Sequence, residues 1–141
     1  MAIKSVTGAD IMSKTGQELL SEKIVEYFKG FRAADYQNVL RKKLSEYTWS
    51  EWLVCLKEKV LLEQCLPYVS EKLEVNPLIP GAFYRGEILY EVTQIEKNFW
   101  MSHQDWYQYF GTCVKTALSM IEDSLNNMEI NQWIIDEYKD F

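Results

Sequence analysis

Side chains that enzymes use for catalysis are sparse in this sequence. His103 is the single histidine, and a histidine general base needs a nucleophile and an orienting carboxylate close by. Asp105 lies two positions further along the same predicted helix and therefore faces elsewhere. We expect His103 to be structural or to lie at the surface, and we predict no catalytic residue and no enzymatic activity.

Metal ligands are equally sparse. Cys55 and Cys65 lie ten positions apart, with no Cys-x-x-Cys motif and no second histidine. These thiols and Cys113 fall on or near apolar faces, where cysteine packs as a small hydrophobe. Glu87 and Glu91 form a carboxylate pair at i, i+4, which we expect to be solvated or to contain one acceptor for the preceding loop. Without Glu-x-x-His partners or a glycine-rich phosphate loop, the sequence predicts no metal and no cofactor.

The charge is distributed unevenly along the chain. The 141 residues contain 15 Lys and Arg against 21 Asp and Glu, a net charge of −6. Residues 1–75 contain 11 basic and 11 acidic side chains, whereas residues 76–141 contain four basic and ten acidic ones. Because phosphates select basic surfaces, direct nucleic-acid binding is not expected. The acidic half is either a solvated surface or a surface that meets a basic partner.

Candidate binding residues are concentrated near the end of the sequence. Six carboxylates fall within the last twenty residues, where Lys139 is the single cation. Tyr107 and Tyr109 lie off the apolar stripe of their helix, and exposed tyrosines beside acidic groups are good anchors for a protein partner. The alternative is that both tyrosines only cover neighbouring helices. The predicted binding residues are Glu122, Asp123, Glu129, Asp136, Glu137, Asp140, Tyr107 and Tyr109.

Helical patterns account for most of the chain. Only six Gly and three Pro are present, and apolar residues recur at helical spacing. Thr15 and Thr48 each begin a capping box, and Pro67 places a helix start at Cys65 or Leu66. The sequence predicts one compact all-α domain, residues 1–141, with about seven helices. The first two span 16–30 and 34–44, the third begins at Thr48, and the fourth ends at Glu74. The fifth follows Gly86, the sixth is capped at Ser102 and broken at Asn126-Asn127, and the last spans 129–140.

The same periodicity predicts which side chains are buried. On the terminal helix, Glu129, Asp136 and Asp140 fall at i, i+7 and i+11 and share an outward stripe. The other side is expected to bury Ile130, Trp133, Ile134 and Tyr138. The predicted core elsewhere comprises Leu20, Phe28, Leu40, Trp52, Leu56, Leu89, Val92, Phe110, Val114, Leu118 and Ile121.

The segment from Asn76 to Phe83 is the clearest loop in the chain. It contains two of the three prolines and Gly81, and it is apolar enough to pack against the protein. Gly81 and Gly86 are expected to occupy backbone angles that a side chain disfavours.

Segments between Val39 and Trp100 resemble a bacterial family of contact-dependent growth inhibition immunity proteins. The most specific match is the run from Pro80 to Leu89. The other matching segments, in the same order, are VLRKKL at 39–44, Tyr47-Thr48, LPYV at 66–69, LEVNPL at 73–78 and Phe99-Trp100. The shared run describes a loop that leads into a helix, so it transfers no toxin-binding residue to this chain.

The resemblance implies a non-enzymatic, stoichiometric inhibitor of a cognate toxin. Many toxins delivered in this way are nucleases with basic clefts, and an acidic helical domain fits such a cleft as a phosphate mimic. The alternative is a helical adaptor or regulatory domain that binds another basic protein. No run of 18 apolar residues or secretory signal is found, and three unpaired cysteines suit a reducing compartment, so we expect a cytoplasmic protein without a membrane association.

Overall fold

The computed structural model describes Ile3 and residues 8–19, 38–123 and 130–141. No strand occurs within these ranges, and one isolated antiparallel bridge pairs Thr15 with Lys43. A 3-10 helix spans Leu44–Glu46, and residues 38–41 are helical. The α-helices are α1 (Ala9–Met12), α2 (Gly16–Leu19), α3 (Trp49–Glu58), α4 (Leu62–Val75), α5 (Glu87–Thr93), α6 (Lys97–Ser102), α7 (Gln104–Asp123) and α8 (Gln132–Asp140). The predicted all-α class is confirmed.

Two compact units divide the chain. One unit is Ser5–Cys65, and the other combines Met1–Lys4 with Leu66–Phe141. A single domain over residues 1–141 stays a prediction. Most of the helix predicted at 16–30, and the break predicted at Asn126-Asn127, lie outside the described residues, as do the predicted core residues Leu20 and Phe28.

The capping box at Thr48 begins α3 as predicted. The Glu51 amide donates to the Thr48 hydroxyl, and the Thr48 amide donates to Oε1 of Glu51 at 3.0 Å. The helix then buries Trp52, Cys55 and Leu56. Two orphan amides are therefore satisfied at the start of a helix whose apolar side forms a core.

The start of α4 predicted at Cys65 or Leu66 was wrong by three or four residues. The helix begins at Leu62, and Pro67 lies inside it. Proline lacks the amide hydrogen that would bond to the carbonyl of Glu63, so one backbone hydrogen bond of the helix is lost. The carbonyl of Pro67 accepts a bond from the Ser70 hydroxyl at 2.7 Å. One missing helical bond is thus compatible with a continuous helix.

Ser102 does not cap the long helix. It is the last residue of α6, a short helix that the sequence reading missed, and α7 begins at Gln104. The carbonyl of His103 accepts the first bond, from the Tyr107 amide, at 3.0 Å. The capping position is therefore His103.

The core of the larger unit forms where α5, α7 and α8 pack against one another. Four predicted positions were wrong: Leu118, Ile121 and Ile130 are half-buried, and Trp133 is 46% exposed. The buried stripe of α7 ends at Ala117, so the following turns face partly outward. The predicted core positions that are confirmed, across both units, are Leu40, Trp52, Leu56, Leu89, Val92, Phe110 and Val114.

We expect Phe110→Ala to destabilise the protein more than Leu118→Ala. Phe110 is fully buried, so its truncation leaves a cavity and should cost about 3–5 kcal/mol. The half-buried Leu118 should cost less than half as much. Urea unfolding followed by circular dichroism measures both values, and equal losses would contradict the placement of α7.

Candidate functional site

A buried hydrogen bond fixes α8 against the loop that precedes α5. The Tyr138 hydroxyl donates to the carbonyl oxygen of Gly86 at 2.6 Å, and Tyr138 is 1% exposed. Burial raises the pKa of Tyr138, with a smaller contribution from Tyr84, so the phenol stays protonated and continues to donate. Ile134, one turn earlier, is also fully buried. These two side chains determine which side of α8 faces solvent.

Gly86 is required at the other end of this bond. Its φ is +82°, and a Cβ atom there would lie 2.7 Å from the Tyr138 hydroxyl oxygen. The expected unusual backbone is confirmed for Gly86. For Gly81 that expectation was wrong, because its φ is not in the left-handed region; a Cβ atom on Gly81 would instead overlap the Glu87 carboxylate.

The Glu87 carboxylate supports the loop. Glu87 is 1% exposed, and its Oε2 accepts a bond from the Phe83 amide at 3.1 Å. Of the two alternatives for the Glu87–Glu91 pair, the hydrogen-bond acceptor is therefore correct for Glu87. The Gly81 amide also donates to the carbonyl of Tyr84 at 3.2 Å. The loop thus holds Tyr84 in a defined position.

The outward side of α8 is acidic. Asp136 and Asp140 lie on the side opposite Ile134 and Tyr138, and Glu137 lies at the edge of that side; we call these three residues the acidic face. Asp136 and Asp140 are exposed, and Glu137 is half-buried and accepts a bond from Nε2 of Gln94 at 3.1 Å. The structure therefore brings three of the predicted binding residues together.

The other predicted carboxylates do not belong to the acidic face. Glu122 and Asp123 are exposed at the end of α7. Glu129 lies outside the described residues. The helix α8 begins at Gln132 and not at 129, and within it the predicted stripe is represented by Asp136 and Asp140.

The two predicted tyrosine anchors have different surroundings. Tyr107 is 38% exposed, and its hydroxyl donates to the backbone oxygen of Phe141 at 2.7 Å. Tyr109 is half-buried, and its hydroxyl donates to Oε2 of Glu74 at 2.6 Å. This bond lowers the pKa of Glu74, whereas burial, followed by the bond to Glu74, raises that of Tyr109. Tyr109 is therefore bonded to α4, and of the two tyrosines only Tyr107 is exposed; its role as an anchor stays a prediction.

Two surface grooves lie along opposite edges of α8. The first, of about 550 Å³, contains Glu137 and Asp140 together with Lys97. The second, of about 650 Å³, contains Lys115 and Lys139. Both grooves include Tyr107 and Phe141. Glu137 and Asp140 therefore line a different groove from Lys139.

An aromatic cluster that the sequence reading missed adjoins the acidic face. The ring of Trp133 lies 4.9 Å from that of Tyr90 and 5.5 Å from that of Tyr84, in edge-on contacts. We call Tyr84, Tyr90 and Trp133 the aromatic cluster. Trp133 was assigned to the core because helical spacing places it on the apolar side of its helix with Ile130 and Ile134. Spacing alone does not reveal that its neighbours are half-buried rings at the surface.

His103 and the three cysteines, which were considered as catalytic or metal-binding candidates, are packed against neighbouring groups. The ring of His103 stacks on Phe99 at 4.1 Å, and its Nδ1 lies 2.9 Å from the Phe99 carbonyl oxygen. Burial raises the pKa of Cys55 to about 12 and also raises those of Cys65 and Cys113, which makes these thiols unreactive. Among the residues that the structure describes, no group of three or more His, Cys, Asp or Glu side chains is arranged to hold a metal.

Comparison with known proteins identifies the class. A family model described as CDI immunity proteins, where CDI is contact-dependent growth inhibition, matches residues 26–109. The chain belongs to this family, and its function is immunity against a CDI toxin. The resemblance seen in residues 39–100 is confirmed, and immunity is favoured over the adaptor alternative. No curated protein and no solved structure matches the chain. No helix in the described ranges is long and apolar enough to span a membrane.

We expect Gly86→Val to destabilise the fold by about 1–3 kcal/mol or more, because valine is strained at positive φ and its Cβ meets Tyr138. Gly111→Val is the matched control, since a Cβ atom there has nothing within 4 Å, and its effect should stay within about 0.5 kcal/mol. Chemical unfolding measures both. Unchanged stability with lost toxin binding in Gly86→Val would identify the loop as a recognition element.

Proposed function

We propose that this chain neutralises a nuclease toxin in the cytoplasm by binding it stoichiometrically and covering its active-site cleft. The observation that carries the proposal is the acidic face, where Asp136 and Asp140 are exposed and Glu137 lies beside them. Carboxylates on one side of a rigid helix resemble the repeating negative charge of a nucleic-acid backbone. A cleft built to hold phosphates would attract them.

The charge of the whole second half supports this choice of partner. Ten acidic and four basic side chains in residues 76–141 produce the complete net charge of −6. A field of this sign accelerates encounters with a basic protein and repels nucleic acid. Glu122 and Asp123 are also exposed, at the end of α7, and add to the negative charge of this half of the chain.

The proposed mode of action is steric and needs no catalytic step. Family members of this kind are typically non-enzymatic. The three cysteine thiols are buried and the His103 ring stacks on Phe99, so these side chains contribute to packing. We therefore propose that the chain acts as a non-enzymatic inhibitor, with one chain occupying one toxin domain.

The toxin encoded by the reading frame directly upstream is the reagent for the test. The isolated toxin domain should degrade DNA or RNA, and one equivalent of this chain should abolish the degradation. A toxin that cuts no nucleic acid would contradict the nuclease assignment. Full nuclease activity within a stable complex would contradict occlusion of the active site.

We expect the double variant Asp136→Lys/Asp140→Lys to associate with the toxin more slowly, by on the order of tenfold at low salt. The wild-type association rate should fall as salt is added, since the Debye length is about 10 Å at 0.1 M, and the variant should show a weaker dependence. Stopped-flow fluorescence measures the rates.

The matched control is Glu46→Lys/Glu71→Lys, which reverses two exposed carboxylates of the first half and changes the net charge equally. Its association rate should change far less. Equal slowing of both double variants would show that net charge matters and that the acidic face has no special role.

A further inference from the structure

The indole ring of Trp133, in the aromatic cluster, is partly exposed to solvent. Trp133 is 46% exposed, whereas Tyr84 and Tyr90 are half-buried. Partly exposed tryptophans with defined neighbours are the side chains most often found at the centre of tight protein interfaces. The cluster shares α8 with the acidic face, and Trp133 precedes Glu137 by one helical turn.

The cluster is already ordered before any partner binds. Tyr84 is held by the loop bond from Gly81, Tyr90 belongs to α5, and Trp133 contacts both rings edge-on. The Tyr84 and Tyr90 rings are also in contact, with centroids 6.4 Å apart. Because these side chains do not need to be immobilised on binding, little conformational entropy is lost there.

The electrostatic surroundings of the rings favour a cation. Burial first, then Glu91 and Glu137, raise the pKa of Tyr90. Burial, then Glu87 and Glu91, raise the pKa of Tyr84 to about 12. The negative potential at these rings adds to their own electron-rich faces, which attract ammonium and guanidinium groups.

We propose that Trp133, with Tyr84 and Tyr90, receives an arginine or lysine side chain from the surface of the toxin. Resting on the proposed function, this inference adds the chemistry of the contact. The cation lies over the indole ring, and Glu91 and Glu137, whose negative charges act on the neighbouring Tyr90, add to the attraction. The acidic face guides the encounter, and the aromatic cluster holds the complex together.

Substitutions at Trp133 test this contact through the dissociation constant for the upstream-encoded toxin domain. Trp133→Ala should weaken binding by about 30-fold or more, chiefly through faster dissociation. Trp133→Phe keeps an aromatic face and should lose less. Trp133→Leu keeps apolar area without a ring, and it should bind nearly as weakly as the alanine variant.

The matched control is Trp106→Ala. Trp106 is also partly exposed and also contacts rings, those of Phe99 and His103, but it belongs to α7. Its affinity should change less than about threefold. Circular dichroism of each variant establishes that the fold is retained.

The outcomes separate this inference from the function on which it rests. A wild-type chain that does not bind the toxin would overturn the proposed function. A wild-type chain that binds, with Trp133→Ala binding equally well, would overturn only the aromatic contact. If Trp133→Leu bound as tightly as Trp133→Phe, the occupant would be an apolar side chain, which would contradict a cation.

Discussion

The hydrogen bond from Tyr138 to the Gly86 carbonyl is the constraint on which the surface of the larger unit depends. It joins α8 to a loop more than fifty positions earlier in the chain, and it is buried. A buried donor without an acceptor costs about 1–3 kcal/mol, so Tyr138 strongly favours this one position of α8. Gly86 makes the close approach possible because it has no side chain and adopts positive φ.

The burial of Tyr138 and Ile134 determines the directions in which the other side chains of α8 point. Asp136 and Asp140 must face solvent, and Trp133 comes to lie on the rings of Tyr84 and Tyr90. The same loop that accepts the Tyr138 bond also positions Tyr84. One side of α8 is therefore buried in the core, and the other side carries the residues that we propose for toxin binding.

Helical periodicity and capping predicted much of the local structure. Thr48 and Glu51 are three positions apart, and this short-range pattern places the start of α3 correctly. Pro67 misled the prediction because the helix continues through it although one backbone hydrogen bond is lost. The terminal helix begins at Gln132 and not at 129, but helical spacing placed Asp136 and Asp140 correctly on its exposed side.

Long-range contacts were not accessible from the sequence. The partners of Tyr109 and Trp133 lie 35 or more positions away in the chain, in Glu74, Tyr90 and Tyr84. Tyr109 was expected to be exposed, but its hydroxyl is bonded to Glu74. Trp133 was expected in the core, but it is exposed. Periodicity assigns a residue to a side of its helix but does not identify what covers that side.

Amide hydrogen exchange of this chain, with and without saturating toxin, tests the central claim most directly. If α8 and the aromatic cluster contact the toxin, exchange should slow in residues 84–94 and 132–141 and stay unchanged in α3. Slowing confined to residues 38–65, with α8 unaffected, would place the interface in the other unit and contradict the account.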